Sequence, residues 1–126
     1  MFNPDSFNLN ATVTSIVSVL SRTTSLTTSA IDMAAFRSGL SFTLDAGAAT
    51  AGTLPTLATK IQDSADGSTG WADLVTFGGV TDAGSITQHI GVAAGKHKRY
   101  IRAVGTIGGT VSPAFAYGIT ALGVSE

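Results

Sequence analysis

Apolar and polar residues alternate with a period of two along most of the chain after residue 39. In Leu40-Ser41-Phe42-Thr43-Leu44-Asp45, the apolar side chains fall on one face and the polar ones on the other, as a half-buried strand requires. Residues 57–62 repeat the pattern, with Leu57, Thr59 and Ile61 opposite Ala58, Lys60 and Gln62. Ile86, Gln88, Ile90 and Val92 share a face across from Thr87 and His89. Residues 99–107 and 114–122 complete the set; in the second, Phe115, Tyr117 and Ile119 oppose Ala116 and Gly118.

Between these runs stand Asp45-Ala46-Gly47, Asp66-Gly67, Gly78-Gly79, Asp82-Ala83-Gly84 and Gly108-Gly109. Glycine and aspartate at such points predict turns. Short strands so punctuated predict an all-β domain, an antiparallel sandwich or barrel. The first 38 residues are ambiguous. Val13, Ile16, Val17 and Leu20 fit helical spacing, but Val13, Ser15, Val17 and Val19 also fit one strand face. The β-branched residues decide for strand. Residues 1–10, with Pro4, Phe2 and Phe7, read as an extended N-terminal arm whose phenylalanines dock on another surface. Residues 11–126 then form a single β-sandwich domain.

Charged residues make up only 12% of the chain and apolar ones 44%, where an average soluble domain is about 25% charged. The formal net charge is −1, which leaves no global field for polyanions or anionic membranes. A surface so poor in charge predicts coverage by neighbouring molecules. Cysteine is absent, which excludes disulfides, thiolate zinc sites and a cysteine nucleophile. The sequence MFNPDSFNLN lacks the basic start and continuous apolar core of a signal peptide. No apolar run approaches the ~20 residues of a spanning helix. No nucleic acid, membrane, metal or cofactor is expected as a partner.

Four of the seven Lys and Arg residues, Lys96, Lys98, Arg99 and Arg102, fall within GKHKRYIRA. Read as a strand, the stretch sets Lys96, Lys98, Tyr100 and Arg102 against His97, Arg99 and Ile101, so the charges divide between two faces. Nucleic-acid binding needs several aligned phosphate contacts and a basic balance, and neither is there. The stretch reads as a charged strand entry that discourages edge pairing. Lys96, Lys98 and Arg99 are its candidate contacts to an acidic protein surface, while Tyr100 and Ile101 hold the strand in place. Arg102 has two candidate partners within the fold, Asp32 and Asp63, and spacing leaves both open.

IQDSADGSTGW, residues 61–71, has the acidic and hydroxyl residues of a calcium loop, but Ala65 stands where a ligand is needed and no closing Glu follows. An Asp66-Gly67 turn between two strands accounts for it, with Trp71 as a cross-strand or core anchor. A hydrolase would rest on His89 or His97, and no G-x-S-x-G, H-E-x-x-H or phosphate loop accompanies them. The chain is expected not to be an enzyme. Trp71, Tyr100 and Tyr117 are the aromatic residues on which a glycan-binding or host-adhesion module of a fibre would depend.

Three stretches taken in order carry a family resemblance: Ser29 to Phe36 (SAIDMAAF), Lys60 to Ser68 (KIQDSADGS) and Lys98 to Arg102 (KRYIR). Together they resemble segments of small structural proteins encoded among the head genes of tailed bacteriophages, some of them capsid decoration (cement) proteins. The resemblance spans residues 25–122 and departs at Asp63, where such relatives often carry Glu. It implies a sandwich, jelly-roll-like in form, that binds the major capsid protein on the outside of the phage head and bridges neighbouring capsomers. It further implies a homo-oligomer, a trimer before a dimer, assembled in the bacterial cytoplasm.

Overall fold

The computed structural model describes residues 11–36 and 39–124; the arm with Phe2 and Phe7 lies outside them. Among the described residues, eight strands follow in order: β1 (Ala11–Arg22), β2 (Leu26–Thr27), β3 (Ile31–Asp32), β4 (Gly39–Ala46), β5 (Ala51–Ser64), β6 (Ala72–Thr76), β7 (Ile86–Ala93) and β8 (Tyr100–Val124). Every pairing is antiparallel.

β8 organises the molecule. Its first part pairs with β5 on one side and with the short β2 and β3 on the other. Its last part pairs with β1 and β4, while β6 extends β5 and β7 extends β4. The result is an antiparallel β-sandwich whose two sheets share β8, in agreement with the expected fold class. Gly108-Gly109 does not separate two strands, contrary to the turn expected there. It sits at a bend where one 25-residue strand passes from the first sheet into the second.

The period-two pattern supplies the core. Leu40, Phe42 and Leu44 of β4 point inward, as do Leu57, Thr59 and Ile61 of β5. Phe42, Leu44, Ile61, Ile101, Phe115, Tyr117 and Ile119 are fully enclosed. Burying one such aliphatic or aromatic side chain stabilises by roughly 1.5–3 kcal/mol.

Two expectations change. β1 is a strand, but its register against β8 shifts between Ser15 and Val17 and again between Val17 and Leu20. These irregularities, where extra residues interrupt the ladder, bury Val17 yet leave Val13, Val19 and Leu20 exposed. The single apolar face read for Val13 to Val19 is therefore broken. The basic stretch is not a strand from its start either. Residues 94–99 form a turn, with Gly95 at φ +72° and the Lys96 N–H bonded to the Ala93 carbonyl at 3.1 Å. Strand alternation does not govern Lys96, His97, Lys98 or Arg99.

Candidate functional site

The turn from β7 to β8 meets the segment after β3 at one end of the sandwich. A cavity of about 300 Å³ opens between them, lined by Met33, Ala34, Gly95, His97, Lys98 and Arg99. Met33 is buried, and its N–H donates to the Arg99 carbonyl at 2.6 Å. The main chains on the two sides of the cavity are thereby locked together.

Side chains complete the frame. Arg99 grips Asp32 with two parallel bonds, Nε to Oδ1 at 3.1 Å and Nη2 to Oδ2 at 2.8 Å. This fork geometry suits guanidinium to carboxylate. The Arg99 bond, with the Ala34 N–H donating to the same carboxylate, holds Asp32 below its usual range. Asp32 in turn raises Arg99. The His97 ring places Nδ1 2.7 Å from the Lys98 carbonyl and Nε2 3.0 Å from the Phe36 carbonyl. The doubly protonated ring donates to both, and either neutral tautomer to one. Buried Asp63 accepts the Lys98 N–H at 3.0 Å, which ties the turn to the end of β5. Among the described residues, the ammonium groups of Lys96 and Lys98 have no hydrogen-bond or ion-pair partner.

The Asp66-Gly67 turn packs against the same end. Asp66 Oδ1 accepts the N–H groups of Thr69 at 2.8 Å and Ser68 at 2.9 Å, and Oδ2 accepts the Thr69 hydroxyl at 2.7 Å. Those donors, the Thr69 N–H foremost, hold the Asp66 carboxyl far below the usual carboxylate range. Buried Ser64 accepts the Gly67 N–H and donates to the Thr69 carbonyl. Gly67 takes φ +78° with the Tyr100 ring so close that a β-carbon would stand 3.1 Å from it. The turn is thus built by Asp66 and Gly67, and Tyr100 is the surface it rests on.

On the outer face of the first sheet, polar side chains form a chain of contacts. The Arg102 guanidinium lies 4.3 Å from the centre of the Trp71 ring. Its Nε donates to Gln62 Oε1 at 2.9 Å. Gln62 Nε2 donates to Asp73 Oδ1 at 3.0 Å, and the Lys60 ammonium stands 3.1 Å from the same oxygen. Gln62 and then Lys60 hold Asp73 below its usual range.

The two carboxylates considered for Arg102 are thus committed elsewhere. Asp32 goes to Arg99, and Asp63 to the Lys98 backbone; Arg102 instead takes an amide oxygen and an indole ring. Trp71 is not a core anchor but a partly exposed ring stacked under Arg102. The three aromatics considered for glycan binding do not make one platform either: Tyr117 is fully buried, and Tyr100 lies against Gly67. His89 faces the Thr43 hydroxyl on the outer face of the other sheet. Among the described residues, neither histidine has a carboxylate or a serine hydroxyl as hydrogen-bond partner. Met33 and Ala34 line the cavity unforeseen. Their signal was the Ala-Ile-Asp-Met-Ala-Ala run, but only the fold brings it beside residues more than sixty positions later.

No family model matches the chain, and no curated protein sequence matches it. Among solved structures, the fold is similar to that of infectious bursal disease virus VP2 in a subviral particle, at 10% identity and a TM-score of 0.56, over 91% of this chain and 32% of that one. A second structure of the virus, the Gt strain, matches at 12% identity and a TM-score of 0.55, over 91% and 33%. A pilus protein of Bacillus endospore appendages matches at 13% identity and a TM-score of 0.50, over 92% and 88%. This chain spans about a third of the length of the viral chains. At such identities, the similarity is one of fold.

Proposed function

We propose that this chain is a non-enzymatic structural protein that decorates the outside of a tailed-phage head and bridges neighbouring capsomers. The observation that carries the reading is the pair of ammonium groups, Lys96 and Lys98, unpartnered among the described residues and carried on a turn beside an apolar-floored cavity. In a chain of net charge −1 with few charges anywhere, two cations at one end, unpaired among the described residues, are a directional feature. They fit an acidic surface on the major capsid protein. Arg99, committed to Asp32, positions the turn more than it reaches outward.

Val13, Val19 and Leu20 of β1 are exposed apolar side chains, which is compatible with a homo-oligomer, with a trimer favoured over a dimer. Multivalent docking then raises the effective concentration of each further contact. The protein acts in the virion, after assembly in the bacterial cytoplasm.

The test is the copy number of the chain in purified virions against the major capsid protein, by quantitative mass spectrometry. A ratio of one to one, or one to a small integer, is expected. A handful of copies per particle would move the protein to a tail or fibre, and absence would overturn the reading.

A further inference from the structure

A row of polar side chains runs straight across three strands on the outer face of the first sheet. Asp73 of β6 stands opposite Gln62 of β5, and Gln62 stands opposite Arg102 of β8. Each member bonds the next: Gln62 Nε2 donates to Asp73 Oδ1 at 3.0 Å, and Arg102 Nε donates to Gln62 Oε1 at 2.9 Å. Neighbouring strands lie about 4.8 Å apart, so the row extends over about 10 Å.

Charge along the row is answered at one end and open at the other. Lys60 pairs with Asp73 at 3.1 Å, and the Gln62 amide is bonded through both its oxygen and its nitrogen. Arg102 has no carboxylate partner among the described residues, and neither of its Nη groups has a hydrogen-bond partner there. The guanidinium is nevertheless held in place. The half-exposed Trp71 ring lies 4.3 Å from it, and Gln62 fixes its Nε end. An arginine held in this way presents a planar fork that matches a carboxylate, and a preorganised donor loses little freedom on binding. At the far end, Asp73 Oδ2 is also without a partner among the described residues, which leaves an acceptor for a hydroxyl group.

The ligand that answers these groups carries a carboxylate for Arg102, hydroxyls for Asp73 and C–H groups to lie against the exposed part of the Trp71 ring. An acidic saccharide of two linked rings brings all three over the length of the row. A neutral sugar leaves the guanidinium charge unanswered. An acidic peptide meets Arg102 but offers Asp73 only a second negative charge. We propose that Arg102, Trp71 and Asp73 form a binding site for uronate saccharides on the outer face of the first sheet. The site shares no residue with the cavity beside the basic turn, and it stands apart from the decoration reading.

Trp71 is the only tryptophan in the chain, so its emission reads binding directly. The experiment titrates the purified full chain with disaccharides of galacturonate, glucuronate and mannuronate, with their neutral counterparts, and with triglutamate. A saturable change in Trp71 emission is expected with at least one uronate. Its neutral counterpart should bind about tenfold more weakly or worse, and added salt should lower the uronate affinity. Arg102→Lys keeps the charge without the fork, and Gln62→Glu supplies Arg102 with a carboxylate from within the row. Each is expected to lose roughly tenfold in uronate affinity, with thermal melting to establish that both are folded. No response to any of the three uronates overturns the site, whatever the variants do. Equal binding of the neutral sugars or of triglutamate overturns it too, and so does wild-type affinity in a folded Gln62→Glu chain.

Discussion

The hydroxyl of Tyr117 lies against Gly105, in the space that a β-carbon on residue 105 would fill. One residue belongs to the first sheet and the other to the second, so this contact sets how closely the two layers approach. The hydroxyl is buried and without a hydrogen-bond partner among the described residues, and burial pushes its ionisation above the ordinary tyrosine value. Gly105→Ala is expected to destabilise the fold by about 1–3 kcal/mol through overpacking. Tyr117→Phe removes an unsatisfied group and is expected to be neutral or stabilising by about 1 kcal/mol. The double variant should recover part of the Gly105→Ala loss. Urea unfolding of the three variants measures all of this, and an additive double variant would show that the two sites do not share the space.

Acid should loosen the turn that Asp66 builds. Asp66, Asp32 and Asp73 all titrate below the usual carboxylate value when folded, whereas the unfolded chain titrates near 3.9. The folded state therefore binds fewer protons. Its advantage is complete above about pH 5 and is lost as pH falls through about 4 towards the folded values. Asp66→Ala is expected to melt lower than wild type at neutral pH and to decline less steeply on acidification. Parallel melting curves for the two proteins across that range would contradict this assignment.

Lys96→Ser with Lys98→Ser should leave the melting temperature unchanged, since neither ammonium has a partner among the described residues. On the proposed decoration role, affinity for phage heads should fall roughly three- to tenfold at low salt, with a weaker salt dependence. Adding Arg99→Ser would break the bidentate bond to Asp32 and lower stability as well. Comparing the two sets by co-sedimentation and thermal melting separates outward contact from internal positioning.

Trp71, the chain's only tryptophan, reports on its own stacking partner. Arg102→Ala should shift its fluorescence to longer wavelength as the ring gains water. It should also lower stability by about 0.5–2 kcal/mol, because the cation–π contact and the bond to Gln62 are lost together. Arg102→Lys keeps the charge but not the planar fork, and should recover only part of either effect. An unchanged emission maximum in Arg102→Ala would mean that the ring is held by other contacts.

The strands of this protein were legible in the sequence wherever one face had to be buried. Period-two alternation identified β4, the inner face of β5, β7 and both parts of β8, because burial acts on every second residue whatever the partner strand. The Asp66-Gly67 turn was equally plain, because its bonds join residues within five positions of one another. Alternation misled at Lys96 to Arg99, where the backbone turns and the side chains no longer take alternate sides. It also misled along β1, where extra residues shift the register without any mark in composition.

Pairing over distance, by contrast, was set by the fold as a whole. Arg99 finds Asp32 across 67 positions, and Arg102, two residues on, turns to Gln62 and Trp71. Nothing local distinguishes the two arginines; the direction of each side chain follows from where β8 begins. The same holds at the bend, where two strands nearly sixty residues apart force Leu54 and Val111 into left-handed backbone together. Local chemistry determined the regular strands and their buried faces. The meeting of remote segments determined which charges are paired within the fold and where the chain is strained.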